Sequence, residues 1–419
     1  MAVYRLDSLT TAPTADIYRY LWLNADLKGP VEDAAYYFTP TNPDVAAVTD
    51  NLMLTQGWSR FRWAQVLAPA PVAFEFLPEL NGPLARGRVV QAGTGKPVPG
   101  ITTYLSAPSR IVRLNPATSN AAGLVQFELN DFYGARDVVV QTDPKQDSTS
   151  RVELLPAFSP QYDLTAPAPY AAPTARFEAA FTRRHFQAQV QNIYSGKYKN
   201  RYRFPAVDSM AFYGKPDEVY LLDKYTRFKV LEEVMREYVP GVVVRTRKDG
   251  FHFMVLDKVN KTLLSENPLV LLDGVPIFNL NKMMAMDPLK IQKLEVLDSR
   301  YFHGPSIYDG VVSYTTYKGD LEGFPLAARV LVQQYEGLQY QREFYAPHYE
   351  TPEQLQSRLP DLRNLLYWNP DITTTGGAAR PLEFYTGDQA GRYLLVVQGL
   401  APNGQAGSTS VSFEVKPAL

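Results

Sequence analysis

"NPLVLLDGVPI", residues 267–277, decides the fold of this chain. An apolar run ends at Asp-Gly and a second apolar run starts at once, which is typical of a buried strand followed by a tight turn. The segment 290–319, "KIQKLEVLDSRYFHGPSIYDGVVSYTTYKG", continues with two more strands around a glycine-bearing loop. We expect a positive φ at Gly274. We predict that the structural turn residues of this region are Asp273, Gly274, Gly304 and Gly310.

The residues before this stretch predict a mixed α+β domain over 216–320. "KYTRFKVLEEVMREYV", residues 224–239, carries apolar residues at helical spacing, and Pro240-Gly241 ends the run. The helical positions are Tyr225, Phe228, Leu231, Val234 and Met235. "GVVVRTR" and "FHFMVLDK" then predict strands, "LNKMMAMDP" a short helix, and "IQKLEVLDS" and "GVVSYTTYK" the closing strands.

This order resembles the plug domain of TonB-dependent outer-membrane receptors, especially the SusC-like branch. The match is carried by residues 231–244, 268–277, 287–297 and 304–316. Receptors of this type follow the plug with a barrel of about 22 strands, each of about 9–11 residues. Only 100 residues follow Gly319 in this 419-residue sequence. The resemblance therefore implies a plug-like domain without a barrel in this sequence.

Residues 83–158 carry short alternating strands separated by turn signals, which predicts a small antiparallel β-sandwich. The strings "GRVV" at 87–90, "TGKPVPG" at 94–100 and "SNAAGLVQF" at 119–127 are similar to the carboxypeptidase regulatory-like domain, a transthyretin-like sandwich. That domain is not the peptidase itself.

The other segments complete a multidomain, mainly β chain. Residues 1–80 are predicted to be the end of a preceding domain, with a strand within 16–38, a helix over Val45–Leu54 capped by Asp44, and a small aromatic core. That core is predicted from Trp58, Phe61 and Trp63. Residues 159–215 are predicted to be a Pro-rich linker and a docking strand or helix, and 321–419 a C-terminal β-sandwich.

Two further strings widen the resemblance. "LMLTQGWSRFRW" at 52–63, and "YWNPD" at 367–371 with "FYTGDQAGRYLLVVQG" at 384–399, are similar to large macroglobulin-type envelope proteins of Bacteroidetes-type bacteria. In that group a regulatory-like domain and a barrel-less plug follow the macroglobulin-type sandwiches. The resemblance implies the C-terminal half of such a protein, in the periplasm or at the outer membrane, with its targeting segment outside this sequence.

Composition excludes several classes of function. The net charge is −1, with 20% charged and 45% apolar residues, so no electrostatic footprint for nucleic acid is expected. The absence of cysteine excludes disulfides, thiol catalysis and Cys-ligated zinc. No apolar run reaches the roughly 18 residues that a membrane-spanning helix needs.

Catalytic motifs are also missing from the sequence. His185, His252, His303 and His348 are far apart, and none lies in an HExxH pattern. "AGTGK" at 92–96 lacks the full phosphate-loop pattern, and no GxSxG is present. We therefore predict no enzymatic activity, no catalytic residue, no cofactor and no metal site.

Two hypotheses for the function remain. The first is a non-catalytic envelope scaffold whose plug-like domain contacts or gates an outer-membrane barrel or complex supplied by another chain. The second is a carbohydrate- or peptide-binding protein that uses loops of the sandwiches. For the first, the predicted protein-docking residues are Tyr301, Phe302, His303 and Tyr308 of the loop, with Met283 and Met284 of the helix beside it. The alternative, in which these rings pack on a neighbouring sandwich of the same chain, is left open.

Overall fold

The computed structural model describes residues 1–13, 16–27, 31, 33–38, 44–57, 63–67, 79–158, 175–304, 306–374 and 381–417. The described part of the chain is mainly β: 34% of its residues are in strands and 21% in helices, and the strands form several sheets. It divides into two compact units. The terminal unit is formed by Met1–Phe76, Thr165–Arg203 and Gln341–Leu419, and the central unit by Leu77–Leu164 and Phe204–Tyr340.

The α-helices of the described residues, in chain order, are α1 Ile17–Arg19, α2 Val45–Thr55, α3 Trp63–Val66, α4 Glu178–Lys199, α5 Leu231–Tyr238, α6 Leu280–Met284 and α7 Pro352–Leu355. A π-helical turn follows α1 over Tyr20–Asn24, and short 3-10 turns lie at Tyr36–Phe38, Ala175–Phe177, Leu222–Lys224, Pro288–Lys290 and Leu321–Gly323.

The strands up to the middle of the chain are β1 Ala2–Arg5, β2 Leu84–Gln91, β3 Thr102–Ser106, β4 Asn115–Thr118, β5 Leu124–Glu128, β6 Ala135–Thr142, β7 Ser150–Leu154, β8 Tyr202–Arg203, β9 Glu218–Leu221, β10 Val242–Arg247, β11 Gly250–Asp257 and β12 Thr262–Leu263. They are followed by β13 Leu269–Leu272, β14 Val275–Pro276, β15 Ile291–Leu297, β16 Tyr301–His303, β17 Ser306–Tyr308, β18 Val311–Thr316, β19 Leu331–Glu336, β20 Gln341–Arg342, β21 Leu365–Trp368, β22 Gly391–Leu400 and β23 Ala406–Val415.

Two sheets of the central unit share one apolar core. One has the order β5-β2-β7 and the other β19-β6-β3-β4. Alternation along β5 shows why they pack, because Val125 and Phe127 are buried while the residues between and beside them are exposed. Both sheets contribute to the same cluster: Ala85, Val89, Leu105, Val125, Phe127, Leu129, Phe132, Val138, Val140, Val152 and Tyr335.

Strand β19 corrects the predicted domain boundary at residue 320. It was expected in the C-terminal sandwich, but it pairs antiparallel with β6, from Leu331 opposite Val140 to Glu336 opposite Ala135. Its Tyr335 is buried in the core that these two sheets share. The alternating pattern predicts that a strand forms, but it does not identify the sheet edge on which the strand pairs. The sheet β19-β6-β3-β4 therefore combines strands that precede residue 200 with a strand that follows it.

A five-stranded mixed sheet, β14-β13-β18-β15-β9, forms the second layer of the central unit. β13 runs parallel to β18, and β15 runs antiparallel to both β18 and β9. The sheet is apolar on both faces. Val270 and Leu272 lie in the cluster that includes residues of α5, α6, β10 and β11. Leu269 and Leu271 lie in a separate cluster with Tyr104 of β3 and with Val112 and Leu114. Burial on both faces explains the continuous apolar run "LVLL".

Helix α5 is shorter than the helical spacing predicts. It begins at Leu231, while Tyr225 and Phe228 precede it and follow a 3-10 turn. Both rings pack on Tyr238 of the helix, at centroid distances of 4.6 and 5.4 Å. Tyr225 and Phe228 therefore cover part of their apolar surface by packing on Tyr238, and not by forming a further helical turn before Leu231.

The terminal unit contains the sheet β21-β1-β22-β23. β1 pairs antiparallel with both β21 and β22, so the first strand of the chain lies inside a sheet of residues 365–415. This contradicts the predicted separation of 1–80 from 321–419. The strand expected within 16–38 is also wrong, because α1 and the π-helical turn occupy Ile17–Asn24. The helix expected over Val45–Leu54 is confirmed as α2. Asp44 lies at its N-cap position, but its side chain makes no capping hydrogen bond.

The aromatic core predicted near residue 60 does not form as expected. Trp58 and Phe61 lie outside the described residues. Trp63 lies in α3 and is 61% exposed, so it does not close a core. The basic, aromatic segment after the linker forms α4, which belongs to the terminal unit. In the described part of the chain, no helix is both long enough and apolar enough to cross a bilayer.

Candidate functional site

The predicted docking loop forms a small hairpin. β16 and β17 pair antiparallel, with Tyr301 opposite Tyr308, Phe302 opposite Ile307 and His303 opposite Ser306. Because side chains of a strand alternate, this register places the rings of Tyr301, His303 and Tyr308 on one side and Phe302 with Ile307 on the other. Gly304, at the turn, has a φ of +55°.

The inner side of the hairpin is bound to its own chain. The Tyr301 hydroxyl donates to the Phe212 carbonyl oxygen at 2.8 Å. His303 Nε2 lies 2.9 Å from the Leu114 carbonyl oxygen. Because a carbonyl oxygen only accepts, Nε2 carries the hydrogen and donates it. The Phe212 ring packs on His303 at 4.7 Å and on Tyr301 at 5.8 Å between centroids. These contacts anchor the hairpin on segments 112–114 and 211–213.

Tyr308 is also an internal residue. It packs against the cluster that contains Tyr104 and Leu269, and burial raises the pKa of its hydroxyl above the ordinary value. The rings of Tyr301, His303 and Tyr308 therefore do not form a free docking surface, which corrects that part of the prediction. The alternative interpretation, packing on a neighbouring part of the same chain, describes their contacts.

The outer side of the hairpin is apolar and exposed. Phe302 is 67% exposed and Ile307 is 63% exposed, and the two residues are directly opposite in the register. Ile307 was missed by the sequence reasoning, which selected aromatic residues. The alternation of "YFH" and "SIY" on either side of Gly304-Pro305 would have identified it. Pro305 itself lies outside the described residues.

Met283 and Met284 were wrongly predicted to be docking residues. They are 0% and 5% exposed and belong to the core beneath the five-stranded sheet. Asn279 starts their helix, because its side chain accepts a hydrogen bond from the Lys282 amide. Neither methionine can contact a partner without unfolding α6.

The predicted turn residues lie at strained or close-packed positions. Asp273 and Gly274 have φ values of +48° and +83°, and Gly310 has +91°. The Asp273 carboxylate does not bond the amides of its own turn. It accepts from the amide and hydroxyl of Thr316, at 2.7 Å each, and from the Leu321 amide at 2.8 Å. Burial raises the pKa of Asp273, and these donors oppose that shift.

Replacing Gly274 with valine should destabilise the central unit by about 2 kcal/mol, because the left-handed φ strains a β-branched residue. A Cβ there would also lie 3.3 Å from the Arg113 carbonyl oxygen. Gly100→Val is the matched control, since Gly100 has a φ of +74° with nothing within 4 Å of its Cβ position. Urea unfolding followed by circular dichroism should show the larger loss for Gly274→Val; equal losses would mean that the Arg113 contact contributes nothing.

The four histidines have separate partners. His252 contacts Asp249 at 2.9 Å, His348 contacts Glu350 at 3.2 Å, and His185 contacts Gln189 at 2.9 Å. His303 Nε2 is hydrogen-bonded to the Leu114 carbonyl oxygen. Within the described ranges, no three or more His, Cys, Asp or Glu residues form a group that could hold a metal ion.

No family model matches this chain, and no curated protein and no solved structure matches it. The resemblances given above therefore rest on the motifs quoted for them.

Proposed function

We propose that this chain is a non-catalytic scaffold of the cell envelope, in the periplasm or at the outer membrane, whose central unit docks on an outer-membrane barrel protein supplied by another chain. The motifs over 231–316 that resemble a receptor plug are one support for this function. The mixed sheet with α5 and α6 is compatible with a plug-like domain. The two sheets that share a core over 84–154, completed by β19, are compatible with a regulatory-like sandwich.

The observation that carries the proposal is the exposed pair Phe302 and Ile307. Large apolar side chains placed side by side in water are unfavourable unless a partner covers them. The hairpin that presents them is anchored by Tyr301 and His303, so little conformational freedom is lost when a partner binds. Phe302 and Ile307 are held in place by the anchored hairpin and lie beside polar loop residues, as apolar anchors of protein interfaces do.

Replacing both Phe302 and Ile307 with serine should abolish capture of the barrel protein and change the stability of the protein by no more than about 0.5 kcal/mol. Both side chains are largely exposed, so the folded state loses little packing. The immobilised protein and the double variant would be incubated with detergent-solubilised outer membranes, and the bound proteins identified by mass spectrometry. The control is Val219→Ser with Leu221→Ser, which removes exposed apolar surface from β9 of the same unit.

The proposal is supported if one barrel protein is enriched on the wild type and on the β9 control but is lost from the hairpin variant. Enrichment of no barrel protein would contradict it. Equal capture by the hairpin variant, with its unfolding midpoint unchanged, would show that the partner uses another surface.

A further inference from the structure

A cavity of about 620 Å³ lies within the terminal unit. α4 forms one wall, and residues 342–345 and 362–368 form the others. Its volume falls within the range of roughly 300–1,000 Å³ that is usual for small-ligand sites. The sequence reasoning missed it, because three segments distant in the chain must come together to form it.

Two amide side chains of α4 line this cavity with an acceptor left unpaired. Gln191 is 4% exposed, and its Nε2 donates to the Pro360 carbonyl oxygen at 3.1 Å. Gln187 Nε2 donates to Gln389 Oε1 at 2.9 Å. The Oε1 atoms of both glutamines are buried without a hydrogen-bond partner among the described residues. The two residues are four apart and share one face of the helix. Because neither Oε1 atom is accessible to a water-sized group, the contacts with a ligand come from the other lining residues.

Two cationic side chains, those of Lys199 and Arg342, line the same cavity. Arg342 donates to the Lys199 carbonyl oxygen at 3.4 Å, and Lys199 Nζ donates to Asn192 Oδ1 at 3.1 Å. Burial and the charge of Arg342 lower the pKa of Lys199. Glu343 also lines the cavity, but in the described structure no carboxylate lies within 4.0 Å of either cation's charged nitrogens. A ligand carboxylate would relieve the repulsion between Lys199 and Arg342.

Aromatic rings supply the apolar part of the lining. Trp368 is 45% exposed and lies 6.5 Å from the Phe344 ring, and Tyr345 stacks on Tyr198 at 5.9 Å with an interplanar angle of 11°. Exposed aromatic faces bind the C–H face of a ring while leaving its polar edge free. The two other cations of the lining are already paired: Arg184 with Asp7 at 2.6 Å and Arg363 with Asp361 at 2.7 Å.

We propose that this cavity binds an acidic saccharide. The carboxylate of a uronic acid residue contacts Lys199 and Arg342, and its sugar ring lies on the aromatic lining. This ligand site goes beyond the docking function and does not depend on it. A saccharide fits better than a peptide terminus, because the exposed aromatic lining offers a surface for the C–H face of a sugar ring beside the two cations.

The test uses a matched pair of probes, cellotetraose and its form oxidised to glucuronate at C6, titrated into the full chain by isothermal calorimetry. We expect the acidic probe to bind at least about tenfold more tightly than the neutral one. Lys199→Gln and Arg342→Gln should each weaken the acidic probe about tenfold and leave the neutral probe unchanged. Trp368→Ala should weaken both probes, because it removes an aromatic face that both sugars contact.

Lys197→Gln is the matched control, since Lys197 lies in the same last turn of α4 but does not line the cavity. It should bind both probes as the wild type does. Absence of binding of the acidic probe at millimolar concentration would overturn the proposal. So would unchanged binding by the Lys199 and Arg342 variants, or tighter binding of an acetylated tyrosyl dipeptide with a free carboxylate, which would assign the site to peptides.

Discussion

Replacing Arg363 with alanine should destabilise the terminal unit by about 3–5 kcal/mol, because it leaves a buried carboxylate without its cation. The side chains of Arg363 and Asp361 are 7% and 8% exposed. Arg363 Nε lies 2.8 Å from Asp361 Oδ1, and one terminal nitrogen lies 2.7 Å from Oδ2, so the pair is bidentate. The other terminal nitrogen donates to the Leu366 carbonyl oxygen at 2.9 Å, which ties the pair to β21.

Tryptophan fluorescence can follow the unfolding of this unit separately. The sequence has four tryptophans, and all of them fall within the ranges of the terminal unit: Trp22, Trp58, Trp63 and Trp368. A urea titration of Arg363→Ala should therefore show an early fluorescence transition. Both units contribute to the far-UV circular dichroism. The later transition in that signal, which belongs to the central unit, should keep its wild-type midpoint.

Two variants separate the buried ion pair from a general effect of losing an arginine. Arg392→Ala removes an arginine from β22 whose side chain donates at an exposed position to Ser412 at 3.1 Å, and it should cost no more than about 0.5 kcal/mol. Arg363→Met combined with Asp361→Asn removes both charges, so it should be more stable than Arg363→Ala alone. If Arg363→Ala and Arg392→Ala unfold at the same urea concentration, the buried pair does not stabilise the unit.

Local geometry was the part of the fold that the sequence could predict. The β-branched runs at 242–247 and 311–316, and the Asp-Gly turn between β13 and β14, form the elements expected of them. This success has a physical basis, because strand and turn preferences depend on the side chain and on its immediate neighbours. The mainly β character follows from the number of such runs.

The pairing of strands could not be predicted in the same way. β1 has four residues with Val3 as its buried side chain, and it pairs with strands more than 360 positions away. β19 has an alternating pattern that fits any half-buried edge, and the edge of β6 is the one that it occupies. Hydrophobic alternation fixes which face of a strand is buried, but the partner depends on which edge remains open after the rest has folded.

The candidate docking site illustrates a related limit. The composition of "SRYFHGPSIYD" identified an interface-like segment, but it did not separate inner from outer side chains. The register places Phe302 and Ile307 outside and three rings inside, and only the cross-strand partners decide this. Met283 and Met284 were misjudged because α6 has five residues, too few for helical periodicity to define a buried face.

Replacing Asp273 with alanine should destabilise the central unit by about 3 kcal/mol or more, because two buried amides lose their acceptor and alanine is strained at positive φ. Asp273 is 0% exposed, and its carboxylate holds the Thr316 amide at the end of β18 and the Leu321 amide in the turn beyond. The Thr316 hydroxyl also donates to Asp273 and accepts from the Gly319 amide. One carboxylate therefore fixes the whole connection 316–321.

Hydrogen exchange can locate this effect, since the amides of Thr316, Gly319 and Leu321 should exchange faster in Asp273→Ala while those of β2 keep their protection. Asp131→Ala is the matched control, because Asp131 also has a positive φ, of +54°, but its side chain is 35% exposed, 3.8 Å from Arg113. It should cost about 1–2 kcal/mol, the strain alone. Asp273→Asn keeps one carbonyl acceptor and tolerates positive φ, so its loss should fall between the two. If Asp273→Ala and Asp131→Ala cost the same, backbone strain accounts for the whole effect, and the carboxylate does not hold the connection after β18.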